Sequence, residues 1–373
     1  MNHSEKVNFI WSVADLLRDY FKRSKYQDVI LPLTVLRRLD CVLEKNKPKV
    51  LEQYERYKGK MDDLTGILNK ESGYGFYNTS KYDFEKLLND PKNIGKNLRQ
   101  YINGFSPNMR EIIEKFKFNS QIETLEEANL TFHVIERFKN IDLHPDKVSN
   151  LEMGYIFEEL IRKFNEASNE NPGEHFTPRE IIRLMVNLLF AEDTETLKKS
   201  RIIKTIYDPA CGSGGMLTEA KKWILESMNK SAQIEIFGQE VNPETFAVCK
   251  SDLLIKDDKA DNIKFGSTLS NDQFANQKFD YMLSNPPYGK EWKIDQVAVE
   301  KEAELGDQGR FGAGLSRISD GQLLFLLTML SKMQKVNGGS RIAIVFNGSP
   351  LFTGDSGSGE SEIRRWIIEN DLL

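Results

Sequence analysis

From Pro178 onward, short apolar runs alternate with helical ones, and this alternation constrains the fold more than any other feature of the chain. A helix over 178–190 leads into RIIKTIYDPACGSGG and a second helix, MLTEAKKWILESM. IEIFGQE, a helix through TFAVCKSDLLI, NIKFGSTL, FDYMLSNPPYG, the helix GQLLFLLTMLSKM and RIAIVFNG then follow. Strand candidates separated by helices predict an α/β architecture with a parallel, doubly wound sheet.

The preceding 165 residues use a different grammar. Phe9, Val13, Leu16, Leu17, Tyr20 and Phe21 recur at helical spacing, and VILPLTVLRRLDCVLE keeps the same period, with Pro32 tolerable only near its start. Amphipathic stretches follow at 109–118, 123–140 and 151–166, whereas ESGYGFYNTS at 71–80 reads as an exposed loop. The segment NEASNENPGE at 165–174 is the best linker candidate. The expected organisation is an all-helical domain over 1–165 and an α/β domain over 166–373.

Composition removes several classes. Hydrophobic residues make up 39%, enough for a packed core, so wholesale disorder is excluded. Lys plus Arg number 51 against 56 Asp plus Glu, a net charge of −5. A surface built to grip phosphate backbones throughout would be basic, so any nucleic-acid contact is confined to a local patch or comes through a partner. Cys41, Cys211 and Cys249 are odd in number and scattered, which argues for a reducing compartment. The first residues lack a signal-peptide core, and IIRLMVNLLF is too short for a bilayer, so a cytosolic chain with no membrane association is expected. Histidines and cysteines never cluster at ligand spacing, and no metal site is predicted.

Three local features carry chemistry. Asp208-Pro209-Ala210-Cys211-Gly212-Ser213-Gly214-Gly215 lies between a strand and a helix, where glycines admit a ligand close to the backbone and a helix N-terminus offers free N–H groups. A tight turn needing glycine for its own geometry explains the same residues. No Lys follows at the P-loop spacing, which disfavours an NTPase. Glu240 ends the next strand, where doubly wound nucleotide sites place an acceptor for ribose hydroxyls. Asn285-Pro286-Pro287-Tyr288 follows the apolar strand FDYMLS, at the carboxyl edge of the sheet.

The last of these separates the classes. An exocyclic amine is a poor nucleophile because its lone pair is delocalised into the ring. The Asn285 side-chain carbonyl and the Pro286 backbone carbonyl can accept its hydrogens, pyramidalise the nitrogen and free the lone pair for a methyl sulfonium. Pro286 has a fixed φ, which defines its carbonyl direction, and Tyr288 offers a ring on which a flipped base can stack.

DPACGSGG, GQE and NPPY, in that order, resemble the amino-methylating S-adenosylmethionine-dependent DNA methyltransferases. With the helical N-terminal region, the segment Gly173-Glu174-His175-Phe176-Thr177-Pro178-Arg179 resembles the modification (M) subunit of type I restriction–modification systems, an adenine-specific N6 DNA methyltransferase. The resemblance implies a Rossmann-like methyltransferase domain and S-adenosyl-L-methionine as methyl donor. It implies that Glu174, His175, Phe176, Thr177, Pro178, Arg179, Gly212, Ser213, Gly214, Gly215 and Glu240 line the donor. Asp208 would orient the methionyl end, and Asn285, Pro286, Pro287 and Tyr288 would carry transfer. Implied partners are DNA, a specificity (S) subunit, a second M subunit and a restriction (R) subunit.

Two departures stand out. Ser267 occupies the place where the family usually puts an acid against the adenine of the donor. The family also continues beyond RIAIVFNG with further strands, so an incomplete sheet with an unpaired edge is expected for a chain ending at Leu373. The alternatives are a self-sufficient adenine-N6 methyltransferase, a glutamine-amide methyltransferase sharing the NPPY turn, and a truncated, catalytically impaired assembly scaffold. The polar loop from Arg310 to Arg317, after the NPPY turn, is a candidate for approaching DNA by position alone.

Overall fold

The computed structural model describes residues 3–168, 177–256, 258–334 and 339–373. The chain divides into two compact units, Met1–Gly173 with Pro243–Ala260, and Glu174–Asn242 with Asp261–Leu373. Packing therefore divides the chain differently from the expected 1–165 and 166–373. The helix through TFAVCKSDLLI, read as one of the helices between strands, belongs to the first unit, where Ala247, Val248 and Ile255 join the core.

Helix Gln27–Leu43 is the centre of the first unit. It is buried at nearly every position from Val29 to Leu43, which requires neighbours on all sides. Helices Phe118–Glu127, Thr131–Lys139, Asn150–Ser168 and Pro243–Ile255 supply them. Arg38, 2% exposed, donates to the carbonyl of Val148 at 2.7 Å and to that of Leu143. Its charge offsets part of the burial that raises the Asp252 carboxyl above the usual range.

Two expectations fail here for identifiable reasons. The stretch 71–80 is not an exposed loop: Ser72, Phe76 and Asn78 are buried. Its polar groups find internal partners, since Ser72 Oγ donates to the Phe76 carbonyl at 2.7 Å and Asn78 Nδ2 to the Tyr101 carbonyl at 2.9 Å. The run 123–140 is two helices rather than one, broken where Asn129 takes φ of +55°.

The second unit is a five-stranded, all-parallel sheet: β1 Ile203–Asp208, β2 Gln233–Glu240, β3 Ile263–Phe265, β4 Tyr281–Ser284 and β5 Arg341–Ile344. The order is β3-β2-β1-β4-β5. The chain begins in the middle, winds outward through β2 and β3, then returns to the other side of β1 for β4 and β5. This is the doubly wound, Rossmann-like class expected from the alternation, and its reversal point lies between β1 and β4, where such sheets open a crevice at their carboxyl ends. Tyr207, Phe237, Phe274, Phe279, Met282 and Met329 form an apolar core beneath that region, with Tyr207 and Phe279 stacked at 4.4 Å. β5 pairs only with β4 among the described residues, and its four residues are half-buried. Among the described residues no helix is long and apolar enough to cross a membrane.

Candidate active site at the carboxyl ends of the central strands

Parallel pairing of β1 with both β2 and β4 brings the ends of three strands side by side. The Gly-rich loop leaves β1, Glu240 ends β2, and Asn285 follows β4. Gly212 (φ +55°) and Gly214 (φ +81°) adopt left-handed conformations that fold the loop back, and Gly214 caps the helix Gly215–Trp223. Gly238 of β2 is required for another reason: a Cβ there would lie 2.8 Å from Cys211 Sγ, so Cys211 can pack across β2 only because that position is bare.

Glu240 is engaged at both carboxylate oxygens. The Gly212 N–H donates to Oε2 at 2.9 Å and the Asn242 N–H to Oε1 at 2.7 Å. Burial raises its pKa, against the lowering effect of these N–H groups. Glu240 thus moors the Gly-rich loop to β2. On the donor-binding role that the resemblance implies, Glu240→Ala should weaken methyl-donor binding by about 1.5–3 kcal/mol, the range for a hydrogen bond to a charged group, and should lower the unfolding midpoint because the loop loses its anchor. Calorimetric titration and urea denaturation measure both; unchanged donor affinity would remove Glu240 from the site.

Asp208 is fully buried. Its Oδ1 accepts from the Ala210 N–H at 2.9 Å and from Ser284 Oγ at 2.7 Å, whereas Oδ2 has no hydrogen-bond partner among the described residues. Burial, assisted by the nearby Glu240 charge, pushes its carboxyl up to about 7. The Asp208–Ser284 bond couples the Gly-rich loop to the NPPY turn, since Ser284 immediately precedes Asn285. An orphaned buried carboxylate oxygen is costly, and it suits a ligand with a cationic or hydrogen-bond-donating group.

Asn285 is held at both ends of its amide. Nδ2 donates to Thr177 Oγ1 at 2.8 Å, and the Tyr288 hydroxyl donates to Oδ1. Pro286 is buried, whereas Asn285, Pro287 and Tyr288 are half-buried. Burial raises the Tyr288 phenol, so it is a neutral hydrogen-bond donor at neutral pH.

The structure therefore brings together Asp208, Gly212, Ser213, Gly214, Gly215, Glu240 and Asn285 to Tyr288, and links Thr177 to that group. Glu174, His175 and Phe176 lie outside the described residues; Pro178 precedes the helix Arg179–Ala191, and only the backbone of Arg179 is described. Ser267 follows Gly266 after β3, where its Oγ accepts the Leu269 N–H at 3.3 Å. Sequence reasoning missed Ser284 and Thr268, whose hydroxyls tie β4 and the post-β3 loop to the Gly-rich loop through Asp208 and the Pro209 carbonyl. No pattern marks either residue. Within the 310–317 loop Arg310 faces inward, 11% exposed. Its guanidinium donates to Glu302 at 2.6 Å and to the carbonyls of Thr268 and Leu269 at 2.7 and 2.9 Å, bracing the post-β3 loop from behind.

Comparison with known proteins places the chain in a family. Residues 149–373 match the model of the N-6 DNA methylase family, and residues 6–138 match that of the HsdM N-terminal domain. The chain belongs to the N-6 DNA methylase family. More particularly, it is similar to the type I restriction enzyme MjaIX methylase subunit of Methanocaldococcus jannaschii, with 25% identity over 99% of this chain and 65% of that protein. It is also similar to the HindI methylase subunit of Haemophilus influenzae, with 27% identity over 59% of this chain and 45% of that protein. The chain thus spans 65% and 45% of the lengths of these relatives. The crystal structure of a type I restriction-modification methyltransferase subunit from Streptococcus thermophilus superposes with a TM-score of 0.70 at 21% identity, covering 99% of this chain and 79% of that one, a likeness of fold.

Proposed function

We propose that the chain acts as the modification subunit of a type I restriction–modification system, transferring a methyl group from S-adenosylmethionine to the N6 amine of adenine in DNA. The observation that carries this reading is the coupling of two loops at the sheet's reversal point. Ser284 bonds Asp208, so the Gly-rich loop and the Asn285 turn are fixed against each other.

The donor, when bound, supplies an electrophilic methyl group. In this reading Gly212, Gly214 and Gly215 approach it with backbone alone, Glu240 accepts hydrogen bonds from its hydroxyls, and Asp208 Oδ2 takes its cationic end. Asn285 Oδ1 accepts a hydrogen of the target amine, and the Tyr288 ring stacks on the flipped base. A planar amine bonded this way pyramidalises, and preorganised acceptors of this kind act mainly in the transition state. A specificity subunit would read the sequence, and a second M subunit and a restriction subunit would complete the assembly.

The test is a methylation assay with a labelled methyl donor and DNA, with and without the specificity subunit, following calorimetric titration of the chain with S-adenosylmethionine. Donor binding together with N6-methyladenine formed in the assembled complex is the expected result. Absence of donor binding, or a labelled product other than N6-methyladenine, would overturn it. Alone, the chain should bind DNA weakly and without sequence preference, since its net charge of −5 leaves only a local basic surface. A tight, sequence-specific gel shift by the isolated chain would favour the self-sufficient enzyme instead.

A further inference from the structure

Both residues joined by the Thr177–Asn285 bond precede prolines, Pro178 and Pro286. A residue before proline is restricted to extended backbone, so each side chain leaves the chain in a defined direction. Thr177 stands at the entrance of helix Arg179–Ala191, which is anchored in the core by Val186, Leu189 and Phe190. Asn285 stands at the exit of β4, all four of whose residues are buried. The 2.8 Å bond between them thus joins two rigid elements.

An asparagine amide can turn end over end, exchanging its oxygen for its nitrogen with little change in shape. Only one orientation presents an acceptor to an amine. The two hydroxyls flanking Asn285 differ in chemistry. The phenol of Tyr288 is the more acidic and the better donor, while the aliphatic hydroxyl of Thr177 is the better acceptor. This asymmetry favours Nδ2 toward Thr177 and Oδ1 toward Tyr288, the arrangement observed. When a base arrives, its amine competes with the Tyr288 hydroxyl for Oδ1, and Thr177 is then the partner that continues to hold the amide.

Resting on the methyl-transfer reading, we propose that Thr177 is a positioning residue for Asn285: its hydroxyl oxygen fixes the amide so that Oδ1 is kept for the acceptor amine. This differs from the role implied by resemblance, in which Thr177 serves the methyl donor. Thr177→Val removes the hydroxyl at nearly constant volume, and Thr177→Ser restores it.

In the complex assembled with its specificity subunit, Thr177→Val should lower kcat about tenfold to a hundredfold, the scale for a misplaced reacting group. Affinity for S-adenosylhomocysteine, measured by calorimetry on the full chain, should stay within about twofold, and Thr177→Ser should recover most of the rate. Loss of donor affinity in proportion to rate, or an unchanged rate, would overturn the proposal.

A second measurement does not depend on turnover. The Asn285 side-chain amide resonance in 15N-labelled protein, assigned with Asn285→Ser, should be shifted in Thr177→Val and near its original position in Thr177→Ser. An unmoved resonance in Thr177→Val would overturn the proposal too. A wild-type complex that methylates nothing would defeat the methyl-transfer reading but would leave this spectroscopic outcome to decide the contact.

Discussion

Asn285→Ala is expected to reduce methyl transfer by about a thousandfold, the upper range for removal of one preorganised transition-state group, with donor affinity close to that of the unaltered chain. On the proposed reading the two effects separate, because Oδ1 would meet the target amine, while Asp208, Glu240 and the Gly-rich loop would serve the donor. Among the described residues the Asn285 side chain hydrogen-bonds to Thr177 and Tyr288. The substitution therefore leaves the Asp208–Ser284 coupling and the Glu240 mooring in place. Single-turnover methylation in the assembled complex and donor calorimetry are the two measurements. Near-normal turnover in the variant would show that the lone-pair argument is wrong. Equal losses of turnover and donor affinity would instead mean that Asn285 helps to shape the donor pocket.

The second large effect concerns pH. Burial, with a smaller contribution from Glu240, raises the Asp208 carboxyl from 3.8 to about 7, against bonds from Ser284 and the Ala210 N–H that favour the charged form. A carboxyl raised on folding binds a proton more tightly in the native state. Its contribution to stability is therefore fully present below its unfolded pKa of 3.8, and is lost as pH rises through about 7. At 1.36 kcal/mol per unit, the interval corresponds to about 4 kcal/mol. Between pH 5 and pH 8 the donor-free chain should lose stability to urea, and Asp208→Asn should lose markedly less because nothing there titrates. Identical pH dependence in the two proteins would show that Asp208 ionises freely. On the proposed reading, in which Asp208 meets the cationic end of the donor, the same linkage predicts donor affinity that rises with pH through 7, with proton release measurable in buffers of different ionisation enthalpy.

Much of the candidate site was legible because its residues are bound to local backbone needs. Gly212 and Gly214 take left-handed conformations that other residues avoid, and they stand where a strand must turn into a helix. Asn285 stands before two prolines at a strand end. Such requirements are met within a few residues, so a linear pattern can carry them. Glu240 was found by its place at the end of β2, yet its mooring of the Gly212 N–H depends on β1 and β2 being neighbours, which the chain does not state.

The sequence by itself determined the class of fold, the helical character of the first 165 residues and the positions of the Gly-rich and NPPY turns, because these follow from periodicity and from the special backbones of glycine and proline. Only the tertiary structure decided which partners these elements met. It buried the polar stretch 71–80 by giving Ser72 and Asn78 internal carbonyls, and it drew helix Pro243–Ile255 into the helical unit, since an apolar face has no address written in its spacing. It also turned Arg310 inward to Glu302 and set Thr177 against Asn285 and Ser284 against Asp208. Hydroxyl and guanidinium groups can bond to many neighbours, and which one they meet is fixed only when the tertiary packing sets loops, helices and strands against one another.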